Sequence, residues 1–178
     1  MTDVNRYRRA AAKYRPDRVK LLWVAKAPPE GGERYFYFET MSAPAGDSLF
    51  REVMRAMARA APFPESEIPS KSESKRSLLR RFQACGCFLI DLCRDPGYAV
   101  ADYWWPRVSA EIVRLDPKWI LPVKVDVCWY LRRRLPEISM TDRLLTNCNV
   151  PFPGSGQQTR FHRIVDPLLR KLYGKCKH

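Results

Sequence analysis

LLWVAKAPPEGGERYFYF, residues 21–38, is the stretch on which the fold turns. Extended back to Val19, its first part reads VKLLWVA, an apolar run too short for a helix and stopped by Lys26-Ala27-Pro28-Pro29. Length and stop signal together predict a buried strand. A proline- and glycine-rich loop follows, then four consecutive aromatics, Tyr35–Phe38. A loop of that composition at the end of a buried strand asks to be explained by what it holds.

Two further runs of the same kind lie downstream. CFLIDLC (87–93) reads as a second buried strand, and KWILPVK (118–124) as a third that Pro122 ends early. A short fourth is expected near 144–150. Helical patterns fill the gaps. Asp47 or Ser48 can cap a helix reaching Ala61, with Leu49, Phe50, Val53, Met54 and Met57 on one face. Further helices are predicted over 75–84, over 106–115 with Pro106 at the start, and over 125–135 up to Pro136. The last covers 157–173, where Pro167 can kink it. A basic helix over 3–15 precedes the first strand, and 62–74, rich in Pro and Ser, reads as a surface loop. Strands alternating with helices predict a parallel sheet covered on both faces: a three-layer α/β/α sandwich of about four strands. Residues 1–178 read as a single domain, with 1–18 appended as the basic N-terminal helix. In such sheets ligands bind beyond the carboxyl ends of the strands, where loops 26–38, 91–98 and 151–156 should meet.

The formal net charge is +13, and its sources are clustered. Arg6, Arg8, Arg9, Lys13, Arg15, Arg18 and Lys20 open the chain; Lys71, Lys75, Arg76, Arg80 and Arg81 form a second group, and Arg132, Arg133 and Arg134 a third. Arg160, Arg163, Arg170, Lys171, Lys175 and Lys177 close it. Clustered positive charge predicts a polyanionic partner, nucleic acid ahead of an anionic membrane. No apolar run is long enough to span a bilayer, and the N-terminal stretch lacks the apolar centre of a secretory signal. Its Arg-rich face resembles a mitochondrial presequence, but Asp3 and Asp17 carry the wrong sign, which leaves a cytoplasmic expectation. The six cysteines contain no CxxC pair and fit no common zinc spacing; they read as reduced thiols, with no metal and no cofactor.

The order of these features resembles the uracil-DNA glycosylase superfamily: strand, proline-rich loop with an aromatic; strand ending in an acid or amide; later strand, Pro-Gly-Ser loop and helix. The likeness covers residues 19–172, and PPEGGERYFYF most resembles a poorly characterised bacterial branch. It implies a base-excision-repair enzyme that binds DNA, flips a nucleotide and hydrolyses its N-glycosidic bond without a cofactor; the oligomeric state is left open, a monomer being favoured. Carried over by position, Lys26 stands where the family has its water-orienting acid, and Glu30 and Glu33 in the same loop can supply a carboxylate instead. Pro28 and Pro29 border the base, with Phe36 or Tyr37 stacking on it. Asp91 takes the place of the asparagine that reads the base edge. Phe152 occupies the place of a histidine, ahead of Pro153, Gly154, Ser155, Gly156 and Arg160, which would hold a flanking phosphate. The family's iron–sulfur branch needs two cysteines before the first motif; none precedes Cys85, so no cluster is expected.

The departures bear on chemistry. A glycosylase transition state carries positive charge on the sugar and negative charge on the departing base. Lys26 has the wrong sign for the first; it can contact phosphate, neutralise the base, or act as an amine nucleophile if burial lowers its pKa. Ionised Asp91 accepts hydrogen bonds but cannot donate, which favours a base edge presenting an amino group. Two functions therefore follow: a glycosylase acting on uracil or another damaged base, or a catalytically inactive module recognising modified or abasic nucleic acid.

Overall fold

The computed structural model describes residues 4–31, 34–39, 47–60, 75–96 and 99–174. At its centre is β1 (Leu21–Ala25), every residue of it buried. β2 (Cys87–Asp91) and β3 (Trp119–Pro122) pair with it in parallel, giving the order β2-β1-β3. The register sets Leu21 beside Cys87 and Trp119, and Ala25 beside Asp91. A central parallel strand is covered on both faces and flanked on both sides, so it needs apolar residues without alternation, which LLWVA supplies.

Six helices accompany the sheet among the described residues: α1 (Val4–Ala12), α2 (Ser48–Ala60), α3 (Arg76–Ala84), α4 (Ala101–Leu115), α5 (Val125–Arg134) and α6 (Gln158–Tyr173). The chain passes from β1 to β2 through α2 and α3, then back across β1 to β3 through α4. These crossovers run in opposite directions; with both right-handed, α2–α3 and α4 fall on opposite faces. Phe50, Val53, Met54 and Met57 of α2 are all buried, and α2 packs along α6. The methionines are core.

The structure departs from the sequence expectations at three places. The fourth strand is a single parallel bridge, Leu144 to Ile120, with the Leu145 N–H donating to the Ile120 carbonyl at 3.0 Å. Cys148 sits at φ 61°, a left-handed conformation that no extended strand contains. α4 begins at Ala101, not at Pro106, because Trp104 and Trp105 of its first turns are buried at 7% and 3% exposure. That burial outweighs the one ladder bond the proline lacks. Third, Cys128 and Cys148 form a disulfide with Cα atoms 5.0 Å apart, so the thiols are not all reduced. Cys85, Cys87 and Cys93 are free, and Cys176 lies outside the described residues. The disulfide ties α5 to the segment after β3, a separation of 20 residues. Cys148→Ser should cost about 3 kcal/mol by the loop-entropy relation. A lower denaturant midpoint would register it, and reductant should bring the parent protein down to the same value.

The four aromatics after β1 form no alternating strand. They turn, with the Phe38 N–H donating to the Tyr35 carbonyl at 3.1 Å. Phe36 packs on Phe50, Phe82 and Tyr37, with ring centroids 5.0–5.4 Å apart. The Tyr37 hydroxyl donates to the Leu89 carbonyl at 3.0 Å and accepts from the Leu89 N–H at 2.6 Å, so it bonds to the outer edge of β2. α1 and the turn after it dock on the same run: Tyr7 stacks on Phe38 at 5.9 Å and Tyr14 on Tyr37 at 6.1 Å. Its Arg8 and Arg9 remain exposed. No helix of the described residues is long and apolar enough to cross a membrane.

Candidate functional site at the carboxyl edge of the sheet

The loops leaving the three strands are laced together where they emerge. The Leu92 N–H donates to the Ala25 carbonyl at 2.8 Å, Cys93 to Lys26 at 2.7 Å, and Val123 to Val24 at 2.8 Å. The chain leaves β1 toward β2 and returns from β2 across β1 to β3, and in such sheets ligands bind beyond the carboxyl ends of the strands.

Asp91 ends β2 and is 4% exposed. It is hydrogen-bonded to the Tyr35 side chain and feels the charge of Arg94. Burial dominates and lifts its carboxyl to about 7, with Arg94 and Tyr35 pulling it back. Arg94 is itself ion-paired with Glu111 of α4. Tyr7 lies against Tyr35, ring centroids 4.8 Å apart, and its hydroxyl donates to the Pro29 carbonyl at 3.4 Å. An acid on an apolar strand needed a partner, and that requirement was legible; that the partner is Tyr35 was not.

Lys26 stands at the tip of β1 with its side chain 44% exposed. Its Nζ is 3.0 Å from Asp126 Oδ2, and Lys124 Nζ is 3.2 Å from the same oxygen. The hydrogen bond and charge of Asp126 raise the lysine's pKa. Burial pulls the Asp126 carboxyl up, but the two lysines win and hold it low. Lys26 is therefore a protonated, ion-paired surface cation and no amine nucleophile. Lys124 lies at φ 141°, ψ 142°, backbone territory that glycine alone enters readily. This turn delivers the start of α5 beside Lys26.

The remaining candidates are placed unevenly. Phe36 and Tyr37 are 3% and 1% exposed, so neither can stack on a flipped base; the expected platform is core and edge packing instead. Pro28 is buried, Pro29 and Glu30 are exposed, and Glu33 lies outside the described residues. In the 152–156 loop, Phe152 is 40% exposed, Pro153 and Gly154 are buried, and Ser155, Gly156 and Arg160 face solvent. This loop rests on the start of α2: a side chain at Gly154 would meet Ser48 Oγ at 3.4 Å and the Phe152 ring at 2.9 Å. Among the described residues no hydrogen bond or ion pair joins it to Asp91 or Lys26. The structure thus brings together the first two loops at the carboxyl edge and leaves the third on α2.

Three residues that carry structure here were misread or passed over in the sequence. Lys75, counted with a surface cluster, is 1% exposed. His162, the kind of polar residue a helix shows to solvent, bridges two carboxylates: Nε2 is 2.8 Å from Glu52 Oε2 and Nδ1 2.9 Å from Asp166 Oδ1. Arg55 and Arg59 complete this clasp between α2 and α6. Trp129 is 51% exposed, although nothing in VDVCWYLRRRL marks it from the rings around it. Among the described residues no three His, Cys, Asp or Glu side chains are grouped to hold a metal ion. Comparison with family models, curated proteins and solved structures returned no match.

Proposed function

We propose that this protein binds nucleic acid at the carboxyl edge of its sheet and does not cleave the N-glycosidic bond. The carrying observation is the state of the groups that hydrolysis would need. The cation at the acid's position is neutralised by Asp126, and the two aromatics at the base-stacking position are sealed in the core. What supports binding is the charge of +13, with Arg8, Arg9, Arg132, Arg133, Arg160 and Arg163 exposed. The likeness to the uracil-DNA glycosylase superfamily supports a DNA ligand and rests on motif order alone.

One observation favours the second reading, a glycosylase. A buried carboxyl titrating at about 7 beside Tyr35 and Arg94 suits acid–base work at neutral pH. The deciding experiment uses oligonucleotides carrying uracil, hypoxanthine, xanthine or an abasic site. The expected result is binding that weakens steeply with salt, about 0.9 log units per log unit of salt for each phosphate contacted, and no strand cleavage after alkali. Cleavage that disappears in Asp91→Asn would establish the enzyme. Absence of binding at low salt would remove both readings.

A further inference from the structure

The outer face of α5 carries a pattern that the carboxyl-edge site does not use. Asp126, Trp129, Arg132 and Arg133 are all exposed, at the three- and four-residue spacing that aligns side chains on one helix face. The face begins at the Lys26–Asp126–Lys124 cluster on the tip of β1 and runs away from it. Trp129 presents half its surface, and the Arg132 guanidinium lies 5.4 Å from the centre of its ring. Arg134 serves the interior: it pairs with Glu137 at 2.8 Å and covers Trp105. Arg132 and Arg133 form no ion pair among the described residues.

α4 extends the pattern. The Tyr130 hydroxyl donates to Asp102 Oδ1 at 2.8 Å, and Trp105 meets Tyr130 edge-on at 5.9 Å, which fixes the first turns of α4 against α5. Next to Asp102 is Tyr103, 54% exposed, and one turn further Arg107 lies over Trp104. Each exposed ring is thus followed, one helical turn on, by a guanidinium. The acids of this region are occupied: Asp102 by Tyr130, Glu111 by Arg94 and Arg114, Asp126 by two lysines, Glu137 by Arg134 and Trp105.

We propose that the α4–α5 face is a stacking track for single-stranded nucleic acid, in which Trp129 takes a base and Arg132 and Arg133 take the adjoining phosphates, leading the strand toward Lys26 at the tip of β1. The inference rests on the nucleic-acid reading above. The exposed rings are set apart by cations and make no continuous apolar patch. They match the alternation of base and phosphate along a single strand. A paired base within a duplex offers no free face to such a ring.

The test is fluorescence anisotropy at 50 mM salt with a labelled thymidine 20-mer and a duplex of the same length, on the full chain. Trp129→Ala should weaken single-strand binding about tenfold or more, within the range of base–aromatic stacking. Duplex binding should change less than twofold, and Trp129→Phe should keep most of the single-strand affinity. Trp129 is half exposed, so circular dichroism should confirm an unchanged fold. If the parent protein binds the single strand but Trp129→Ala binds it equally well, the track is wrong and the nucleic-acid reading stands. Equal losses on single strand and duplex would also overturn the track. If the parent binds neither oligonucleotide, both ideas fall; binding to phosphatidylserine vesicles in that case would assign the face to a lipid surface.

Discussion

Lys75→Met is expected to destabilise the protein by about 3–5 kcal/mol, the cost of breaking a buried ion pair by removing one partner. Lys75 is 1% exposed at the start of α3. Its Nζ pairs with Asp47, donates to the Tyr35 carbonyl at 2.8 Å and lies 4.4 Å from the centre of the Phe50 ring. Burial lowers the lysine's pKa, and the charge and hydrogen bond of Asp47 offset part of that cost. Methionine fills the volume but leaves the Asp47 carboxylate, 13% exposed, and the Tyr35 carbonyl without their donor. Asp47 also receives the Phe50 N–H at the start of α2, a distance of 3.4 Å, so part of the loss falls on that helix. Urea melts of Lys75→Met, Asp47→Asn and the double variant would measure the coupling. The double variant should be less destabilised than the sum of the singles, because no unpaired charge remains. Additive losses would mean that the pair contributes nothing beyond its separate contacts.

The second large effect has the opposite sign. Asp91→Asn should stabilise the protein at pH 8 by about 2–4 kcal/mol and leave it nearly unchanged at pH 4. The folded carboxyl titrates at about 7, against an ordinary value of 3.8. A carboxyl raised by folding contributes stability that is complete below the unfolded value and is lost as pH climbs through the folded one. About three units at ~1.4 kcal/mol each set the upper figure. Above pH 7 the native protein therefore carries an ionised group in an apolar setting, and asparagine removes it. Tyr35 can still donate to the amide oxygen. Thermal melts should show Asp91→Asn higher by about 5–10 °C at pH 8 and level with the parent at pH 4. A gain of equal size at both pH values would show that ionisation is not its source.

The frame of the molecule was legible because it depends on one-dimensional signals. Buried parallel strands need only continuous apolar runs, and LLWVA, CFLID and WILP are such runs. The stretch near 144–150 failed for a reason the pattern cannot carry: a left-handed Cys148 tied to α5. Pro106 marked a helix start by its usual habit, yet two buried tryptophans drew the helix one turn further back. The site was harder. That Asp91 falls at the tip of β2 beside β1 follows from strand order. Whether an aromatic faces a ligand or the core is decided by one turn at residues 35–38, which sequence spacing does not report. Lys75 was misread and His162 passed over because a polar residue at a helix start or on a helix is ordinarily solvated, and only the packing of distant segments reveals otherwise.

Tyr37 has a consequence for how copies of this protein behave together. A narrow sheet has little interior and much border, and each bare border strand invites a neighbouring molecule to zip onto it. By bonding both backbone groups of Leu89, one phenol takes the place a foreign strand would occupy, so molecules meeting along this flank find no register to extend. The crowded aromatic stretch after the first strand thus caps the border of the sheet at the middle of its outer strand, where an added strand would otherwise start to pair.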